Sequence, residues 1–214
     1  MGLAHIYARP VRDVFERHPS VVAPLLLGGT VTSRVDGLRV TVRLTEVEGY
    51  GGVGEDPGSH AFRRLSPRNA TMFGSPGHAY VYFTYGMHWC LNVVAHEDES
   101  AGAVLIRAGE VVAGIDVARR RRGAQVPDRD LARGPARLTV ALGVTGDLDG
   151  VDLLSRRSPL RLTLPARPSS DYATSARTGV GGAGADTPWR FHLVGERSVS
   201  PYRRAQPRAG GRRR

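Results

Sequence analysis

The sequence predicts one domain that combines β-hairpins with short helices. Two observations support this. A chain of 214 residues is enough to bury one good core and short of what two would need. Runs in which apolar residues alternate meet at Asp-Gly and Tyr-Gly pairs, while shorter runs carry the caps and Gly or Pro punctuation of brief helices.

In chain order, Ser20 is expected to cap a short apolar helix, "SVVAPLLLGG", with Pro24 in its first turns and two glycines ending it. Residues 29–50 then alternate around Asp36-Gly37, a hairpin signal. From Val40 the even positions read Val40, Val42, Leu44, Glu46, Glu48 and Tyr50, so two glutamates continue the apolar face. Strands send alternate side chains to one side, and a carboxylate on a buried side costs several kcal/mol unless it is paired or functional. The competing expectation is that the strand has left the core by residue 46 and both acids are wet.

A glycine-rich loop over 49–77 carries His60, Arg63, Arg64 and Arg68. The aromatic stretch "YVYFTYGMHWCLN" comes next, with strands expected at 79–84 and 88–95 around Tyr85-Gly86. Tyr80 and Tyr82 should point one way, and Val81, Phe83 and Tyr85 the other. A tyrosine at a hairpin tip has little core to fill, whereas it could wedge between stacked bases, and an inner-face aromatic could stack on an extruded one. Beyond it the pattern gives a strand at 102–111, a helix near Ile115 to Arg122, a helix over 134–144 and a strand at 189–195. The domain is expected to span 1–202, and the arginine-rich run 203–214 to be a disordered tail.

All 30 basic residues are arginine, against 20 acids, for a formal charge of +10. Six of those arginines lie in the tail, so the body is only mildly basic. Arginine's planar fork fits phosphate oxygens and its face stacks on rings, which suits nucleic acid; a G+C-rich coding bias would give the same composition. Cys90 is the only cysteine, which excludes an internal disulfide or a multi-cysteine metal site and fits a reducing compartment. With no charged-then-apolar leader and no apolar run of membrane length, a soluble cytoplasmic protein is expected, nucleoid-associated in a bacterium. "GVGGAG" at 179–184 satisfies Gly-x-Gly-x-x-Gly, yet no helix pattern or suitably spaced acid comes after it, so a dinucleotide site is not expected there. "HEDES" at 96–100 reads as a solvated loop rather than a metal site.

"LTEVEGYGG", "DPGSHAF", "SPRNATMFGSPGHAYVYFTYGMHWCLNVV", "VLIRAGE", "GPARL" and "RTGVGGAG…PWRF", in this order, resemble the alkyladenine DNA glycosylase (3-methyladenine DNA glycosylase) family over residues 6 to 202. The resemblance implies the α+β class: a single domain with a curved antiparallel β-sheet core, peripheral helices and a protruding β-hairpin. It also implies a monofunctional enzyme of base excision repair that flips a damaged purine out of double-stranded DNA and hydrolyses its N-glycosidic bond. By motif position, Glu48 matches the carboxylate that activates water, and Tyr50 and Tyr82 match the base-stacking tyrosines. His60 matches a histidine facing the flipped base, Asn92 an asparagine beside the pocket, Tyr85 the residue that fills the gap in the duplex, and Arg107 an arginine near water and phosphate. No cofactor and no metal are implied, and a monomer is expected.

The spacers Val47 and Gly49, a one-residue longer path to His60, and Gly182 where a bulky residue is expected depart from the family pattern. They bear on lesion selectivity more than on the chemistry. A lyase that cuts the strand through an imine needs an amine, usually lysine; the sequence has no lysine and leaves only the N-terminal amine, so glycosylase activity without lyase activity is expected. The alternative is a nucleic-acid-binding module without catalysis, in which Glu48 is merely structural.

Overall fold

The computed structural model describes residues 11–97 and 100–206. Eight strands form one antiparallel sheet that curls into a half-barrel: β1 Thr30–Ser33, β2 Val40–Tyr50, β3 Ala79–Thr84, β4 His88–Val94, β5 Ala103–Ala113, β6 Leu160–Thr163, β7 Tyr172–Ser175 and β8 Arg190–Leu193. The order is β3-β4-β5-β2-β1-β6. The long β2 organises it, because its first half pairs with β1 and its second half with β8, which in turn carries β7. Helices α1 (Pro19–Val22), α2 (Ile115–Arg122) and α3 (Pro135–Leu142) are short and peripheral, and α2 and α3 pack on one another. None of the helices among the described residues is long and apolar enough to cross a membrane.

The hairpin of β3 and β4 obeys the alternation of its sequence up to Thr84, but Tyr85, expected on the side of Val81 and Phe83, lies on the side of Tyr80 and Tyr82, because its left-handed backbone, φ 52°, breaks the alternation at the tip. Val81, Leu91 and Val93 enter the main core, while Tyr80 and Tyr82 stack on the other face with ring centroids 5.2 Å apart. Because β3 is an edge strand, its exposed N–H groups need partners. Asp149 supplies one, accepting from the Val81 N–H at 2.8 Å while its other oxygen holds the Thr71 hydroxyl.

The glutamate face needs a correction. Val40, Val42 and Leu44 are core, but so is Val47, which an unbroken alternation would place opposite Leu44. The pairing of β2 with β5 slips between Leu44 and Glu46 and again between Glu46 and Val47. A bulge inserts an extra residue and re-aims the side chains beyond it. Glu46 and Glu48 therefore lie on the face opposite the core, yet both are fully buried. The expectation of wet acids fails, and so does that of acids continuing the apolar stripe.

One local expectation also fails. Ser20 does not cap α1: its N-cap is His18, whose Nδ1 accepts from the Ser20 N–H at 3.3 Å, and Pro19 opens the helix. Proline at the first position is favoured because its missing N–H would be unpaired there anyway. The hairpin expected around Asp36-Gly37 is present: the pair turns the chain with φ of 53° and 71° inside a six-residue loop that joins β1 to its antiparallel neighbour β2. The short strands β6 and β7 have no counterpart among the sequence expectations. The tail expected from Arg203 lies outside the described residues from 207 onward, as do Asp98 and Glu99 of "HEDES".

Candidate active site

Alternate residues of β3, β4, β5 and the end of β2 project from the face opposite the core and surround a cavity of about 280 Å3. Tyr50, His60, Tyr82, Asn92, Arg107 and Tyr85 all contribute to its lining, so the structure brings together six of the seven residues singled out from sequence. The seventh, Glu48, is fully buried and not itself part of the lining, but it is hydrogen-bonded to Tyr50 and Arg107, which are.

Glu48 is held by three donors. The Tyr50 hydroxyl donates to Oε2 at 2.8 Å, the Thr178 N–H to Oε1 at 2.7 Å, and Arg107 Nη1 to Oε2 at 3.3 Å. A carboxylate offers about four lone-pair sites. One is left for a further donor. Burial together with the Glu48 charge pushes the Tyr50 phenol well above its ordinary value, so it remains a donor.

Glu46, two residues back on the same face, is more completely satisfied. Its Oε1 accepts from Arg107 Nε at 2.9 Å, Arg190 Nε at 2.7 Å and the Ser200 hydroxyl at 2.9 Å, and its Oε2 from the Ser200 N–H at 2.7 Å. Burial alone would raise this carboxyl, but Arg107 and Arg190 outweigh it and hold Glu46 below the usual carboxylate range. Arg107 thus bridges both acids. Burial pulls its guanidinium down while Glu48 and Glu46 drive it up, and the net effect raises it, so it stays cationic.

The aromatics facing the cavity fall into two groups. Tyr82 packs edge-on against His60, with centroids 4.6 Å apart at 77°, and stacks on Tyr80, whose hydroxyl lies 3.0 Å from His60 Nδ1. Burial, and then the Arg68 charge, lower the His60 pKa, so its ring is neutral at pH 7. Tyr50 belongs to a different group: the Arg177 guanidinium lies over its ring, 4.6 Å from the centroid, and reaches Trp189 at 5.5 Å. Below these walls Asn92 is fixed by its Nδ2 donating to the Tyr80 carbonyl at 2.9 Å, and Cys90 is a buried thiol that burial keeps protonated.

Sequence reasoning missed the device that holds Tyr50. Arg177 and Asp56, both fully buried, form a two-pronged ion pair at 2.5 and 2.7 Å, and Arg177 also donates to the Gly49 carbonyl. The pair ties the loop after β2 to the glycine-rich segment 178–184, whose Thr178, Gly179 and Val180 form part of the cavity wall. The glycines there serve close approach: a Cβ on Gly184 would meet the Gly58 nitrogen at 2.7 Å, and one on Gly58 would strike Arg177 and Val180. "GVGGAG" leads into one 3-10 turn and then β8, not a helix, in keeping with the rejection of a dinucleotide site. Gly182, at φ 66°, has open space around it and is not part of the wall. Arg190, a cation between Trp189 and Phe191 in a short apolar strand, signals a buried partner, but that partner is Glu46, and nothing in the neighbouring residues announces the pairing of Arg177 with Asp56.

At the hairpin tip, Tyr85 and Gly86 take φ of 52° and 65°, and the Met87 N–H closes the turn on the Thr84 carbonyl at 3.1 Å. Tyr85 is 83% exposed. Among the described residues no cluster of three or more His, Cys, Asp or Glu could hold a metal ion.

A single-domain half-barrel thus holds a buried carboxylate next to a cavity lined by aromatic rings, beside a hairpin that presents a tyrosine to solvent, an arrangement with room for a flat group against those rings. The family model for methylpurine-DNA glycosylase (MPG) matches residues 13–197. Relatives from Leifsonia xyli subsp. xyli, Streptomyces avermitilis and Nocardia farcinica are 52%, 46% and 48% identical to the chain; the alignments span 92%, 94% and 90% of it and 94%, 92% and 91% of the relatives. Each of the three is named "Putative 3-methyladenine DNA glycosylase". The chain belongs to the methylpurine-DNA glycosylase family, and it is a DNA glycosylase of DNA repair.

Proposed function

We propose that the enzyme flips alkylated or deaminated purines, of the 3-methyladenine, 7-methylguanine, hypoxanthine and ethenoadenine class, out of duplex DNA and hydrolyses the N-glycosidic bond with a water activated by Glu48. The observation that carries this reading is the one unfilled acceptor site on a buried carboxylate beside an aromatic cavity. Water bound there gives its proton to Glu48 as its oxygen bonds to C1′. The C1′–N bond breaks and its electron pair leaves with the base. Alkylation at a ring nitrogen makes the base cationic, so it departs as a neutral molecule and needs no acid. The negative charge of Glu48 also favours the oxocarbenium character of the sugar. A neutral lesion such as hypoxanthine needs a proton on departure.

Tyr50 and Tyr82 stack on the flipped base, each such contact being worth about 1–3 kcal/mol, and an electron-rich ring favours a cationic one further. His60 and Asn92 border the base, and Arg107 lies near the water and the flanking phosphate. Tyr85 fills the gap left in the duplex; an exposed aromatic at a strained tip serves this better than it serves the core. The protein works as a monomer and without a cofactor. The tail 203–214 adds salt-sensitive, sequence-independent affinity for DNA.

Single-turnover base release from duplexes carrying one hypoxanthine, ethenoadenine or methylated purine tests the reading, with wild type beside Glu48→Gln. The wild type should release base and the variant should be slower by a factor of about 100 or more, with DNA binding retained. Equal rates would remove Glu48 from the chemistry; tight binding without release from any lesion would favour a binding module. Borohydride should trap no covalent adduct with DNA, since the chain has no lysine to form an imine.

A further inference from the structure

The face of the sheet that carries the cavity carries a second feature at its other end. Along β6, β1 and the first half of β2 the residues opposite the core are Arg161 and Thr163, Thr30 and Thr32, and Thr41, in register across the strands: Arg161 beside Thr32 beside Thr41, and Thr163 beside Thr30. Two strand-end arginines, Arg34 and Arg39, and Arg156 complete the rim of a concave groove of about 230 Å3 whose lining contains no acid. All four arginines are exposed, and none forms an ion pair among the described residues. This contrasts with the rest of the sheet, where Arg43, Arg107 and Arg190 are each tied to glutamate. The hydroxyls between them, such as Thr32 and Thr41 with oxygens 3.0 Å apart, are short donors that suit phosphate oxygens.

We propose that this groove binds the phosphate backbone of a second DNA segment, separate from the duplex whose lesion occupies the cavity. Unpaired arginine forks around hydroxyl donors, with no acid among them, match a phosphodiester backbone in charge and geometry. Charge also separates the two sites. Between groove and cavity, on the same face, Arg43 is covered by Glu110 and Glu196, at 2.8 and 2.7 Å, and the segment 196–200 lies across the sheet through the contacts of Ser198 with Thr45 and Ser200 with Glu46. One backbone running from cavity to groove would have to pass those carboxylates. Along β2, Thr41 and Glu48 are seven residues apart, about 23 Å of strand on a curled sheet. Bending a short duplex along that curve costs elastic energy that a second, separate segment avoids. A glycosylase that holds a second segment while it interrogates the first can pass between neighbouring duplexes without fully dissociating.

The test mixes full-length protein with two lesion-free duplexes of about 20 base pairs, one labelled with a donor fluorophore and one with an acceptor, and reads energy transfer against salt. Wild type should bring the two together. Arg156→Glu with Arg161→Glu should lose most of the signal, and Arg156→Lys with Arg161→Lys should retain it. The salt slope of lesion-free binding should also flatten in the Glu variant, by about 0.9 for each phosphate no longer neutralised. Base release from a single short lesion duplex should be the same in all three proteins, which keeps this proposal distinct from the assignment of Glu48. Equal energy transfer in wild type and the Glu variant, as bridging by the tail would give, overturns the proposal. So does a defect that arises only as the lesion duplex is lengthened, since that places the groove on the same DNA as the cavity.

Discussion

The acid network behind the cavity and the hairpin tip in front of it solve opposite problems. At Glu46 and Glu48 every charge is buried and nearly every acceptor is filled, by Arg107, Arg190, Ser200, Tyr50 and Thr178. At the tip Tyr85 adopts a left-handed backbone that disfavours any residue with a Cβ, and its ring is left in solvent. One region gains rigidity from complete pairing. The other keeps an unfavourable conformation that brings the protein little packing in return, the observation behind the proposed role of Tyr85 in the duplex. A position can thus be functional because everything around it is satisfied, or because nothing is.

The sharpest way to break the first region is to remove its centre. Glu46→Ala leaves Arg107 and Arg190 buried without their shared counter-ion, and loss of one partner of a buried pair typically costs about 3–5 kcal/mol. Urea unfolding should show a midpoint shift of that size or a protein that does not fold. A cost below about 1 kcal/mol, the range of a surface pair, would mean the network does not hold the sheet together.

Glu46→Gln asks a finer question because it keeps the shape and removes the charge. The folded-state pKa of Glu46 lies below its ordinary value of 4.5, so its contribution to stability is fully present above that value and is lost as pH falls through the folded pKa. Asp56, whose carboxyl burial would raise but whose bonds to Arg177 lower on balance, acts in the same direction. Wild type should therefore be most superior to Glu46→Gln near pH 7, and the two urea midpoints should converge on acidification below pH 4.5. A gap that stays constant with pH would assign the effect to packing rather than charge.

These contrasts also explain which features could be read in advance. The aromatic hairpin was legible because its turn is local: strands expected at 79–84 and 88–95, and found at 79–84 and 88–94, follow from neighbouring residues alone, whereas the side that Tyr85 takes does not, because its backbone at the tip is left-handed. The identities of Glu48, Tyr50, His60 and Arg107 as site residues came from ordered motifs, not from pattern. Pattern got the side of the sheet wrong. The bulges at Leu44 to Val47 arise from pairing with β5, about sixty residues away, and no periodicity within β2 announces them. The Arg177–Asp56 pair is longer-range still, and β6, reading Leu-Arg-Leu-Thr, is too short to stand out from a loop.

The smallest expected effect sharpens the comparison most. Tyr85→Gly removes a Cβ from a left-handed position, a relief of about 1–2 kcal/mol, against the extra freedom glycine gives the unfolded chain, worth about 0.4–1 kcal/mol. Stability should be unchanged or slightly higher, because a side chain 83% exposed has little packing to lose. Base release at subsaturating enzyme should nevertheless fall, since a flipped base then leaves a hole that nothing fills. If the variant is instead destabilised by more than about 1 kcal/mol, Tyr85 packs in the free protein after all. If it is stable and fully active, the tip is not the wedge, and Met87, 66% exposed two residues on, is the next side chain to test.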